Sequence, residues 1–449
     1  MTCNWPYLRV EDIAEKVAMG PFGSSIKVET FTPTGIPIIS GQHLHEAELK
    51  DVDNNFISTQ HADALKNANV RRGDVIFTHA GNIGQVAFIP EDSVYDRYVI
   101  SQRQFYLRCN TKLILPEFIT YYFKSPEGRH RLLANATQVG VPSIARPSSY
   151  LKSIEVPVPP IDEQRVVVRN IRALDAKTRV NRRINQTLET IAQAIFKSWF
   201  IDFDPVKAKI AAKTQGRDPL RAAMTAISGK PDAGLDTLTP DQFTPLAATA
   251  ALFPDEMEDS ELGEIPKGWQ VNKIGKLLEL AYGKALKATD RVDGPIPVYG
   301  SGGVTGFHNQ ALVNHGSVIV GRKGTVGALY WEDGPFFPID TTFYVRPISA
   351  PMTYCFYLLQ TLGLDKMNTD AAVPGLNREN VYRLEYVLPS QAALKAFDFT
   401  VSQLQSAMRV NTESAKSLSL LRDALLPKLL SGELIAQAPS NLAAAVEGA

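Results

Sequence analysis

The sequence predicts an α+β protein built twice over: two strand-rich domains, each followed by a long helix. Three observations predict this. Blocks of sequence recur in the same order in both halves; each half passes from short β-branched runs to a long heptad pattern; and a proline-bearing break separates the two regimes each time.

The recurrence is read directly from the residues. Val141-Pro142-Ser143-Ile144-Ala145-Arg146 returns as Val373-Pro374-Gly375-Leu376-Asn377-Arg378, and Tyr150 returns as Tyr382, both offset by 232. Over the helical stretch the offset is 230, which maps Asn181 to Asn411, Leu188 to Leu418, Ile191 to Leu421 and Trp199 to Leu429. Upstream, Gly73-Asp74-Val75-Ile76 and Gly81-Asn82-Ile83-Gly84 match Gly316-Ser317-Val318-Ile319 and Gly324-Thr325-Val326-Gly327. Phe105 to Arg108 matches Phe343 to Arg346, and Ile36-Pro37-Ile38 matches Ile296-Pro297-Val298. Ordered blocks with drifting offsets are a duplication whose loops have changed length.

Within each half, runs such as Asp74 to Thr78 and Val318 to Val320 are punctuated by Gly, Pro, Asn and Asp, the pattern of short strands with loops between them. After Val156-Pro157-Val158-Pro159-Pro160 and Leu388-Pro389, Asp162 and Ser390 are the expected N-caps. Each helix should then run for roughly 40 residues, or about 60 Å at 1.5 Å per residue. The second carries a heptad seam of Phe397, Val401, Leu404, Met408, Asn411, Ala415 and Leu418. The first carries Val167, Ile171, Leu174, Thr178, Asn181, Asn185 and Leu188. A polar residue in such a seam costs stability and sets register. Matched length and register favour pairing of the two helices; packing of each on its own domain is the alternative. Pro205 to Lys267, rich in Ala, Pro and Asp, is expected to be a connector, partly helical at best. The tail after Glu433 is expected to fray.

The formal net charge is zero, yet six acidic residues and no basic one lie between Ala251 and Ile265. Ile161 to Phe200 holds eight basic and four acidic residues. A modest positive surplus therefore sits outside the acidic stretch, which permits a nucleic-acid partner. Three scattered cysteines (Cys3, Cys109, Cys355), no leader-like pattern at Met1 to Arg9 and no membrane-length apolar run point to the cytoplasm.

Catalytic patterns are missing. Pro159-Pro160 lacks the Asn/Asp before and the aromatic after that hold a target amine in adenine methyltransferases, and no Walker A sequence occurs. Gly300 to Gly303 reads as a turn, His43-x-His45 as a polar loop without a third metal ligand, and Asp202 and Asp204 as turn residues past a helix end. No catalytic residue, metal site or cofactor is expected in this chain.

Four further segments carry a resemblance: Val156 to Arg165 (VPVPPIDEQR), Ile195 to Phe203 (IFKSWFIDF), Gly263 to Trp269 (GEIPKGW) and Leu425 to Leu434 (LLPKLLSGEL). With the duplication, they make the chain resemble the specificity (S) subunit of type I restriction–modification systems over nearly its whole length. The second proline block, with Ser390-Gln391, departs by lacking the Glu-Gln-Arg run. The resemblance implies target-recognition domains at 1–160 and 267–389, spacer and docking helices at 161–200 and 390–431, a connector at 201–266 and a tail at 432–449. The helices would pair as an antiparallel coiled coil with internal pseudo-two-fold symmetry. The chain would read an asymmetric bipartite site on double-stranded DNA and direct two methyltransferase (M) subunits and restriction (R) subunits to it. S-adenosylmethionine, ATP and Mg would belong to those partners.

Base readout needs polar side chains on loops. The candidates are Gln42, His43, His79, Asn82, Gln85 and Arg103 in the first domain, and Ser301, His308, Arg322, Lys323 and Thr325 in the second. Arg146 and Arg378, which match across the halves, suit phosphate contact or structure. Ile195, Phe196, Trp199, Phe200, Leu425, Leu426, Leu429 and Leu430 lie off the seam; either they dock partner subunits or they cover the undersides of the domains. A coiled-coil adaptor that binds only protein is the rival reading, distinguished by the absence of salt-dependent DNA affinity. An independent methyltransferase is a third, which would bind S-adenosylmethionine alone.

Overall fold

A computed structural model describes residues 5–21, 23, 25–137, 140–367 and 375–434. Cys3, the Val373-Pro374 pair and the tail from 435 lie outside the described residues. The chain divides into two units, 1–182 with 413–449 and 183–412. Each long helix contributes one half to each unit.

In the first unit, strands Ala14–Met19, Gln104–Cys109, Asp74–Thr78 and Val86–Phe88 lie side by side in that order, all antiparallel. A second sheet orders Phe56–Ile57, Ile36–Ile39, Arg97–Ile100 and Asn69–Arg71, with the middle pair parallel. Asp74 to Thr78 is buried at every position because the central sheet is covered on both faces. Alternation then divides its residues: Val75, Phe77, Phe105 and Leu107 enter one core, and Ile76, Ala87 and Tyr106 enter the other with Ile38, Ile39 and Tyr98.

The second unit repeats this plan. Leu278–Tyr282, Thr342–Pro347, Ser317–Gly321 and Leu329–Glu332 form the equivalent four-stranded sheet. Ile296–Gly300 and Phe337–Pro338 supply the equivalent parallel pair. Side-chain parity is kept as well, with Val318 and Val320 in one core and Ile319 in the other. The duplication read from the sequence is thus a duplication of topology.

The helices run from Ile161 to Phe200 and from Gln391 to Leu430, each of 40 residues. Asp162 is not the N-cap expected: the helix already includes Ile161, and Asp162 lies in its first turn. Ser390 does cap, its hydroxyl accepting the Ala393 amide at 3.2 Å. The Glu-Gln-Arg run of the first helix latches it to its domain. Glu163 accepts from the Trp5 indole at 2.8 Å, and the buried Gln164 bonds Leu115 N–H, Leu113 O and Pro159 O, each at 2.8 Å. At the position offset by 230 the second helix has Leu394, fully buried, so an apolar contact replaces the polar latch and the run is dispensable.

The helices pair antiparallel within each unit. In the first, Asn181 donates to Ser414 at 3.0 Å and Arg422 to Asp175 at 2.9 Å. In the second, Asn411 donates to Asn185 at 3.0 Å, and Asn185 donates to Met408 O and Thr412 Oγ1, both at 2.9 Å. No residue of either predicted seam is exposed. Asn411 therefore meets Asn185, one seam step from its sequence equivalent Asn181, because equivalent residues of two antiparallel helices run in opposite directions and coincide only at the centre of the pair.

Of the two placements open for the apolar helix ends, the structure shows the second. Phe196, Trp199 and Phe200 are at most 3% exposed and enter the core of the second unit, with Ile195 packed against it. Leu426, Leu429 and Leu430 enter the core of the first, with Leu425 packed against it. Each helix starts on the domain that precedes it and ends inside the other unit, so six of these residues are core and Ile195 and Leu425 pack against it, rather than forming a docking surface. Cys109 and Cys355 are buried in the same two cores.

The stretch expected to be a connector, partly helical at best, is largely helical. It forms helices Asp204–Thr214, Pro219–Ser228, Asp232–Leu235 and Pro240–Ala251, then a hairpin of Met257–Ser260 and Gly263–Pro266. Ala223, Met224, Leu235 and Ala250 give it a small core of its own. Asp202 lies in the turn after the long helix, as expected, whereas Asp204 is not a turn residue but opens the next helix, at whose N-cap Phe203 has φ +56° and its ring against Trp269. Among the described residues no helix is long and apolar enough to cross a membrane.

Candidate nucleic-acid interface

The strongest candidate surface in each unit is built where three loops meet at one end of the central sheet. In the first unit, His79 N–H bonds Arg103 O at 2.9 Å, His79 O accepts from Ile144 N–H at 2.9 Å, and Ala80 bridges Ser143. In the second, Arg322 N–H bonds Thr341 O at 2.9 Å, Arg322 O accepts from Leu376 N–H at 2.8 Å, and Lys323 bridges Gly375. Inside the loops, Gly84 N–H to Thr78 O matches Gly327 N–H to Gly321 O. Gly81, Gly84, Gly324 and Gly327 all have positive φ, which the turn requires. One backbone frame is thus used twice, with different side chains mounted on it.

The structure sorts the candidate residues. His79, Asn82, Gln85 and Arg103 share the first surface. Asn82 and Arg103 are exposed, and a Cβ on Gly81 would lie 3.4 Å from the Arg103 guanidinium. Gln85 bridges from Thr78 Oγ1 toward His45 Nδ1, each at 3.4 Å. The His79 ring contacts Gln102 O at 3.1 Å, and burial pushes its pKa below the ordinary value. Gln42 is exposed beside this group, its amide donating to Asp53 O at 3.2 Å, and Gly41 abuts Gln85. Arg146 is exposed on the third loop in left-handed conformation.

In the second unit Arg322, Lys323, Thr325, Ser301 and Arg378 come together. Ser301 Oγ accepts the Thr325 amide at 3.4 Å, joining the 300–303 turn to the 322–327 loop. Arg322 lies 4.8 Å from the centroid of the Tyr282 ring, and Arg378 lies 4.7 Å from the same centroid. Tyr282 was not a candidate from the sequence; the match of its neighbour Gly283 with Gly20 is the signal that would have found it. A Cβ on either glycine would strike a backbone carbonyl at 2.1–2.2 Å, so both strand ends must be glycine there.

Two candidates are corrected. His43 is 2% exposed, with Nδ1 accepting the Ser40 amide and Nε2 against Val52 O, both at 2.9 Å. His308 is 7% exposed, with Nδ1 accepting the Val292 amide at 3.0 Å. Both imidazoles pin local backbone, so neither is presented to a base.

The positive surplus of the first helix is partly spent within its own unit. Arg165, Arg172, Arg179 and Arg182 pair with Asp162, Glu48, Glu48 and Glu46 at 2.6–3.4 Å. Beside them a cavity of about 250 Å³ is lined by Lys124, Asp175, Arg422 and neighbours. Burial lowers the Lys124 pKa to about 8 there. The pairs of Arg172, Arg179 and Arg182 lock the domain to the helix and are not a field open to DNA, whereas Arg165–Asp162 is an exposed pair within the helix itself.

A family model described as the type I restriction modification DNA specificity domain matches residues 3–190 and 266–391. The chain is 29% identical over 476 residues to the HindI specificity subunit of Haemophilus influenzae, covering 96% of this chain and all of the relative. It is 22% identical over 462 residues to the MjaIX specificity subunit of Methanocaldococcus jannaschii, covering 96% and 94%. The crystal structure of the type I restriction–modification S subunit from M. genitalium aligns with a TM-score of 0.51 at 17% identity, over 95% of this chain and 96% of that one. At that identity the likeness shows the fold.

Proposed function

We propose, from the premise that this chain belongs to the type I restriction–modification DNA specificity family, that it reads an asymmetric bipartite site on double-stranded DNA. One observation carries the reading. The same loop frame occurs once in each unit, but His79 stands where the other has Arg322, so two similar readers address two different half-sites. The chain supplies recognition and no chemistry. S-adenosylmethionine belongs to partner methyltransferase subunits that modify adenine; ATP and Mg belong to partner restriction subunits. The recognition domains are 1–160 and 267–389, and the paired helices between them set the spacer.

Docking of the two methyltransferase subunits falls to apolar residues on the outer faces of the helices. Val180 and Val410 are 49% and 65% exposed, Ile191 and Leu421 are 42% and 47% exposed, and each pair is related by the offset of 230. Two equivalent apolar faces suit two copies of one partner.

The test is sequencing of N6-methyladenine in host DNA with this gene present and deleted. A bipartite, asymmetric motif that vanishes on deletion supports the reading. Co-purification of a methyltransferase without any motif that depends on this chain would instead favour the adaptor.

A further inference from the structure

We propose that Arg322 reads a guanine in the half-site addressed by the second unit. This rests on the reading above and adds a base identity to it.

Arg322 is held as a preorganised reader. Its backbone is bonded on both sides, to Thr341 O and from Leu376 N–H. Its side chain donates from Nη1 to Asp340 O at 3.1 Å and lies 4.8 Å from the Tyr282 centroid and 5.7 Å from that of Phe343. Tyr282 is itself steadied by Arg378, which pairs with Glu379 at 3.5 Å. After these contacts, the Arg322 Nε and Nη2 groups make no hydrogen bond among the described residues. A guanidinium fixed in this way loses little entropy when it binds.

The fork selects its acceptor. In the major groove guanine offers two adjacent acceptors, N7 and O6, whereas adenine offers one acceptor and a donor that would oppose an arginine N–H. A phosphate would also accept the fork, but phosphate contact carries no sequence information and has no reason to differ between repeats. Arg146 and Arg378 are identical in the two halves; Arg322 and His79 are not. The His79 ring has one nitrogen against Gln102 O, leaving it a single nitrogen and no fork. The first half-site should therefore lack this guanine contact.

The experiment uses the complex of the full chain with its methyltransferase subunits. The motif is first read by sequencing N6-methyladenine for the wild type and for Arg322→Ala. One guanine of one half-site should become degenerate in the variant while the other half is unchanged. Duplexes carrying 7-deazaguanine at that position, which removes N7 alone, should then bind the wild-type complex about tenfold more weakly and leave the variant unaffected. A variant that fails to assemble does not block the test, because the 7-deazaguanine arm, placed at each guanine in turn, needs only the wild type. A motif with no guanine in either half overturns the proposal. So does a uniform loss of affinity with no position relaxed, which would identify a phosphate contact. A wild-type complex with no motif that depends on this chain overturns the parent reading, and this one with it.

Discussion

Phe196→Ala separates the two roles open to the aromatic end of the first helix. The ring is 1% exposed and lies 5.4 Å from Phe200, 5.4 Å from Tyr354, 5.6 Å from Phe397 and 6.2 Å from Tyr357, centroid to centroid. Truncating a buried phenylalanine costs about 3–5 kcal/mol. With four aromatic neighbours losing a partner, the upper part of that range applies here. At a slope of roughly 2 kcal/mol per M, the unfolding midpoint should fall by about 2 M urea. Tryptophan fluorescence of the intact chain is the assay, because Trp199, Trp269 and Trp331, three of its four tryptophans, lie in this unit. The comparison is Val180→Asp, on the exposed face, which should leave the midpoint unchanged and weaken methyltransferase co-purification. A Phe196→Ala chain with an unchanged midpoint that no longer holds its partner would refute the core assignment.

His43→Ala should cost about 1–3 kcal/mol by stranding the Ser40 amide and Val52 carbonyl, yet leave the methylated motif unchanged; an altered motif would return His43 to the readers. Asp74→Ala should cost about 3–5 kcal/mol in urea unfolding, because the buried carboxylate takes two bonds of 2.7 Å from Arg108 and one of 2.9 Å from the Arg71 amide. Lys124 gives a pH signature. Its pKa is about 8 in the folded chain against an ordinary 10.5, so the unfolded chain holds more protons between those values. Its contribution to stability is therefore full above pH 10.5 and is lost as pH falls toward 8. The stability of wild type relative to Lys124→Met should rise from pH 8 to 10.5; a flat difference would contradict the assignment.

What was legible in the sequence was whatever repeats or keeps a period. The matching blocks gave both domains, and the four-three spacing of Phe397 to Leu418 gave a seam with no exposed residue. Direction was not legible. His43 and Asn82 are both polar residues of predicted loops, and only the fold turns one inward and leaves the other at the surface. Phe196 and Trp199 could not be assigned to docking or to a domain's underside, because the domain that receives them follows later in the chain. For 204–251 the sequence showed no more than a connector, partly helical at best, because alanine-rich segments carry little periodicity, and the core of these helices needs only small residues such as Ala223 and Ala250. Charge counting also overstated the free positive surface, since Arg172 and Arg179 share Glu48. Tyr282 stayed hidden because its value lies in Arg322 and Arg378, which are distant in sequence.

The most direct test of two independent readers on one chain is an exchange of the second unit. Because Phe196, Trp199 and Phe200 belong to that unit's core, residues 183–412 must move together rather than 267–389 alone. A chimera carrying that block from a relative of different specificity, expressed with the methyltransferase, is then typed by N6-methyladenine sequencing. The result predicted is a hybrid motif, with one half-site retained and the other replaced by the donor's. Replacement of both halves, or of neither, in a chimera that still methylates would contradict it.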